Sequence, residues 1–90
     1  MKAENSKYLV QYVKTKRGPK GVIIALNKGR GFSLGWSLCK KGDQFSKSRA
    51  IEIALGRANK GVGEVNVPPS LTEKLEAMKK RAQRYFRCAN

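Results

Sequence analysis

The chain has 90 residues, 40% hydrophobic and 29% charged, which suits one small globular domain with a single modest core. Its 20 Lys plus Arg against 6 Asp plus Glu leave a net charge of +14, an excess that repels itself unless a polyanionic partner relieves it. No histidine is present, which excludes imidazole acid–base chemistry, and Cys39, Cys88 and six scattered acids offer no zinc spacing.

No Gly-rich stretch matches a P-loop or dinucleotide fingerprint, so neither an enzyme nor a cofactor is expected. The opening MKAENSKYLV has no apolar h-region and no stretch reaches transmembrane length, so the expected location is the cytoplasm, with no membrane span. In that compartment the two cysteines read as buried thiols rather than a disulfide. The polyanion implied by the charge is nucleic acid first, with an acidic protein or an anionic membrane surface behind it.

Residues 1–90 read as a single domain, with residues 1–6 a flexible N-terminus. KYLVQYVKTK is rich in β-branched and aromatic residues and predicts a strand over Lys7–Lys16. RGPKG is a turn signal, with GVIIALNKG after it as a second strand and Lys16, Arg17 and Lys20 at the hairpin tip. A second turn, NKGRG, leads into FSLGWSLCK, which alternates strictly. Phe32, Leu34, Trp36 and Leu38 share one face, and Ser33, Gly35, Ser37 and Cys39 the other. Three strands with short connections predict an antiparallel meander with one buried face. The small-residue face of the third strand reads either as plain solvent-facing surface or as a shallow surface that another molecule approaches closely.

Next, Ile51, Ala54, Leu55 and Ala58 follow helical spacing. Ser46 is the expected N-cap, Phe45 and Ala50 the staple pair, and Asn59–Gly61 the stop. This helix is expected across the sheet's apolar face, over a Trp36 that belongs to the core. Residues 61–69 then read as a linker. Ser70 and Glu73 make a capping box for a C-terminal helix whose Leu71, Leu75, Met78, Ala82 and Tyr85 form a narrow seam. That seam would either close the chain's own core or pair with a second copy as a homodimer. The fold expected is therefore α+β, in the order β-β-β-α-α. The C-terminal helix is too polar in its second half for deep membrane insertion.

One detail asks for a functional reason. The first turn of the first helix carries Lys47 and Arg49 and no acid, although a helix N-terminus favours negative charge. Unpaired N–H groups and positive potential there make an anion site that cations would reinforce. Lys40 and Lys41 precede it, and in a meander the Lys16, Arg17, Lys20 turn falls at the same end. The turn bearing Lys28 and Arg30 falls at the other. Lys80, Arg81 and Arg84 extend the basic surface on the last helix.

The stretch GDQFSKSRAIEIALGRA (residues 42–58) resembles the last helix of double-stranded RNA-binding domains, which opens with a Ser-Lys-Lys-x-Ala-Lys run. Ser46, Lys47, Ala50 and Ala54 match; Ser48 and Ile51 stand where that family has lysines, and the family's leading helix has no counterpart here. The resemblance implies phosphate gripping from the helix start, with Lys47 the matched residue. GWSLC, DQFSK and ALGRA also resemble segments of small accessory proteins encoded by bacteriophages, which would place the chain in a host cytoplasm.

The expected function is backbone binding to duplex DNA or RNA through Lys16, Arg17, Lys20, Lys40, Lys41, Lys47 and Arg49, with Lys80, Arg81 and Arg84 added. Duplex is preferred because no aromatic stacking platform is evident. Tyr8 and Tyr12 would reverse that preference if their shared face pointed outward. The alternative is a protein-binding accessory factor or inhibitor of a host nucleic-acid enzyme, docking on an acidic surface.

Overall fold

In the computed structural model, which describes residues 7–16, 18–28, 31–39 and 44–86, the order of elements is the expected one. Strands β1 (Tyr8–Thr15), β2 (Gly18–Asn27) and β3 (Phe32–Leu38) precede helices α1 (Lys47–Lys60) and α2 (Pro69–Tyr85). The strands form an antiparallel sheet in the order β1-β2-β3, giving an α+β fold. The central strand is buried without interruption from Gly21 to Leu26. Such a run needs cover on both faces of the sheet, since every second side chain points the other way.

Both faces are covered, by different helices. Ile23, Ala25 and Leu34 pack with Leu71, Leu75, Met78 and Ala82 of α2, with Trp36 and Leu38 partly buried beside them. Val22 and Ile24 pack with Ala50 and Ala54 of α1, with Val10 and Tyr12 at the margin. The expectation of one buried face with α1 across it is thus corrected. The large apolar face of β3 belongs to α2, and α1 lies on the face of Ser33, Gly35 and Ser37. The reason is fit. A methyl group at Gly35 would collide with the Ala54 carbonyl oxygen and would come within 2.9 Å of the Ala58 amide nitrogen. A strand of small residues and a helix face of Ala50, Ala54 and Ala58 let the two backbones approach this closely. The small-residue surface is approached closely by the chain's own helix rather than by another molecule.

The hairpin also differs from expectation. Thr15 pairs with Gly18, which adopts φ +114°, so the turn is tighter than RGPKG suggests and Pro19 lies within β2. Pro19 is tolerated because the register shifts beside it, leaving Lys20 without a β1 partner. The Lys20 carbonyl instead accepts the Cys39 amide at 2.7 Å, extending the β2–β3 ladder past Leu38.

Helix α1 is bounded as its sequence dictates. Ser46 Oγ accepts the Arg49 amide at 3.4 Å, and Gly61 at φ 75° closes the C-terminus on the Ala58 and Arg57 carbonyls. Phe45 packs in the same cluster as Ala50. Helix α2 starts earlier than its capping box predicts. Pro68 is its N-cap and Pro69 its first residue, with no side-chain cap. Proline's fixed φ suits the first helical position, so Ser70 is drawn into the helix and the Ser70–Glu73 box does not form. Leu71, Leu75, Met78 and Ala82 form the seam as expected, but Tyr85 is 64% exposed. The seam closes the chain's own core.

Candidate functional site

The first turn of α1 straddles a row of residues that crosses the sheet on one face, Tyr12 of β1, Val22 of β2 and Ser37 of β3. Successive helical residues turn by about 100°, so Lys47 and Arg49 point to opposite sides of this saddle. Lys47 Nζ lies 5.5 Å from the centre of the Tyr12 ring, on the β1 side. Arg49 lines a hollow of about 360 Å³ on the β3 side, with Ser37, Cys39, Gln44, Ser46 and Ile53, and also borders a second hollow with Ser48, Glu52 and Leu55. No acid stands in this first turn, whereas Arg57 and Lys60 in the last turn suit the helix dipole in the usual way.

The hairpin lies at the same end of the sheet. Lys20 bonds to Cys39 at the end of β3, and Cys39 lines the hollow beside Arg49. Lys14 and Lys16 are exposed on the hairpin. Lys14 is not among the candidates read from sequence, although its place at the end of β1 beside the hairpin turn marks it as one. Of the remaining candidates, Arg17, Lys40 and Lys41 lie outside the described residues, as do residues 1–6, Arg30 and Cys88.

Lys28 is occupied elsewhere. Its Nζ donates to the Asn59 carbonyl at 3.2 Å, capping the C-terminus of α1. That contact also fixes the far end of the sheet as the end where α1 finishes.

Helix α2 sits on the opposite face, so Lys80, Arg81 and Arg84 do not join the group around Lys47 and Arg49. Lys80 and Arg84 are exposed, while Arg81 stacks 5.7 Å from the Tyr85 ring and reaches the Gln11 side chain at 3.5 Å. The cations thus divide between two faces, where sequence suggested one extended surface. Tyr8 and Tyr12 both lie on the α1 side of β1. Tyr8 is 41% exposed, but Tyr12 is half-buried in the α1 cluster with Lys47 over it.

The edge of β3 is closed by its own chain. Arg57 Nη1 donates to the Trp36 carbonyl at 2.8 Å, and its guanidinium lies 4.1 Å from the centre of the Trp36 ring. Gly63 packs against the Leu34 carbonyl, carrying the α1–α2 connection around this edge from one face to the other. Trp36 is accordingly a half-buried residue of the α2 core rather than an open stacking ring. Its Nε1 is buried and meets no acceptor among the described residues.

Among the described residues, no three His, Cys, Asp or Glu side chains gather to hold a metal ion, and no helix is long and apolar enough to cross a membrane. Fold and charge define a small, strongly basic α+β domain, a three-stranded sheet held between two helices. No family model, curated protein or solved structure matches the chain.

Proposed function

We propose that this protein binds the phosphate backbone of duplex nucleic acid through the end of the sheet where α1 begins. The observation that carries this reading is the acid-free first turn of α1, with Lys47 and Arg49 splayed to either side of its N-terminus. The positive end of the helix and two divergent cations suit a line of phosphates better than a single small anion. Lys14, Lys16 and Lys20 on the adjacent hairpin extend that line. Backbone contacts give affinity and register without reading sequence.

Duplex is favoured over single strand because Tyr12 is engaged by Lys47, leaving Tyr8 as a lone open ring on that face. Stacking of successive bases needs a platform of several rings. The cations of α2 form a separate surface and are not part of this site.

Fluorescence anisotropy with labelled duplex DNA, duplex RNA and a single strand, at about 50 and about 200 mM salt, tests the proposal. Each phosphate contact adds about −0.9 to the slope of log affinity against log salt on duplex DNA. Contacts from Lys16, Lys20, Lys47 and Arg49 together would therefore lower affinity on the order of 100-fold over that range. Lys47→Glu/Arg49→Glu should remove at least half of that slope, two of the four contacts being replaced by repulsive charges. Weak binding, equal for all probes and indifferent to that change, would overturn the site.

A further inference from the structure

The two edges of the sheet are treated differently. In β3 the outward carbonyls of Leu34 and Trp36 are covered by Gly63 and Arg57. In β1 the Asn27 amide bonds to the Lys7 carbonyl, which fixes Lys7, Leu9, Gln11 and Val13 as inward-pairing residues. The backbone groups of Tyr8, Val10 and Tyr12 therefore point outward. Among the described residues nothing pairs with those of Tyr8 and Val10, and only the Gln11 side-chain amide reaches the Tyr12 carbonyl, at a long 3.5 Å. The stretch Tyr8–Val13 is uncharged, free of proline and rich in β-formers, so the usual protections of an edge strand are missing from it.

We infer that this edge receives an extended acidic segment of a partner protein, which adds to the sheet as a fourth strand. An added strand sends alternate side chains to the two faces, and both faces beside β1 are basic. On one side lie Tyr8, Tyr12 and Lys47. On the other, Gln11, Lys74, Met78 and Arg81 border a hollow of about 250 Å³ between β1 and α2. On the α1 side Glu52 shares a hollow with Ile51 and Leu55, which pack in one cluster with Val10 and Tyr12, so the match to an acidic strand is carried by Lys47 on that side and by Lys74 and Arg81 on the other. A second copy would bring the same cations against themselves, on a chain already at +14. This surface is distinct from the proposed phosphate site, sharing only Lys47 with it.

The test is amide hydrogen exchange on the ¹⁵N-labelled full chain, with a short acetylated peptide of glutamate pairs alternating with valine pairs as the probe, which sends glutamates to both faces. Exchange at Tyr8, Val10 and Tyr12 should slow by about tenfold or more on saturation, while the inward amides of Leu9, Gln11 and Val13 change little. A peptide N-methylated along its pairing edge should give no protection, and Tyr8→Pro, with an unchanged circular dichroism spectrum, should bind the native peptide at least about tenfold more weakly. Equal protection by a lysine–valine peptide would overturn the acidic specificity. Binding without protection at these three amides would overturn strand addition. Protection that rises with protein concentration alone, or on adding duplex DNA, would assign the edge to a second copy or to nucleic acid and overturn the inference. Because Lys14, Lys16, Lys20 and Arg49 stay intact in Tyr8→Pro, its duplex binding should persist, so failure of the edge leaves the phosphate reading standing.

Discussion

Gly35 of β3 lies beneath the Ala54 carbonyl of α1, so close that a methyl group at Gly35 would occupy the space of that oxygen. Backbone cannot yield as a side-chain tip does, so the helix would have to lift from the sheet. Gly35→Ala should therefore destabilise the fold by about 2–3 kcal/mol or more, at the severe end of overpacking. Urea unfolding followed by circular dichroism measures it. A change under about 0.5 kcal/mol, the size of an ordinary surface substitution, would show that α1 does not sit on this row.

The two serines that the sequence offers as helix caps should respond differently. Ser46→Ala removes the acceptor for the Arg49 amide and should cost about 1 kcal/mol. Ser70 lies inside α2 with no capping bond, so Ser70→Ala should be neutral or stabilising by a few tenths of a kcal/mol, following helix propensity. Matched unfolding curves for the two variants decide the point. Equal losses would restore the capping box.

Arg57 joins α1 to the β3 edge through both a hydrogen bond and a ring contact with Trp36. Arg57→Ala should cost about 1–3 kcal/mol and make Trp36 fluorescence more accessible to acrylamide. Arg57→Lys should recover little of it, because an ammonium lacks the planar stack. Full recovery by lysine would reduce the contact to simple charge.

Arg49→Glu separates function from stability by sign. An acid in the first turn of a helix is favourable by about 0.3–1 kcal/mol, so the variant should be slightly more stable than the native protein. Its affinity for duplex nucleic acid should fall, and the salt dependence should flatten by more than the single lost contact, since a repulsive charge replaces it. Thermal unfolding and anisotropy on one preparation read both. Lower stability with unchanged binding would mean that Arg49 serves the fold.

Lys28 gives the opposite case. It caps α1 through Asn59, so Lys28→Ala should lose about 0.3–1 kcal/mol of stability and leave nucleic-acid affinity nearly unchanged. A large loss of affinity would move the binding surface to the other end of the sheet.

Local chemistry in the sequence determined the elements and many of their ends. Alternation in FSLGWSLCK set the two faces of β3, Ser46 and Gly61 bounded α1, and the Leu71–Ala82 spacing defined the seam of α2. It also placed cations at the α1 start and on the hairpin at one end of the sheet. Residue spacing defines a face but not what covers it. Ser33, Gly35 and Ser37 read alike whether they meet water or a helix of alanines, and that choice was made by the close fit of Gly35 to Ala54 in three dimensions. Likewise, nothing local in GVGEVNVPP says that the connection passes around β3 at Gly63. That passage puts α2 on the second face and so divides the basic residues into two surfaces. Tertiary packing decided the partners of each face because burial rewards the whole set of contacts at once, while periodicity records only what each segment offers.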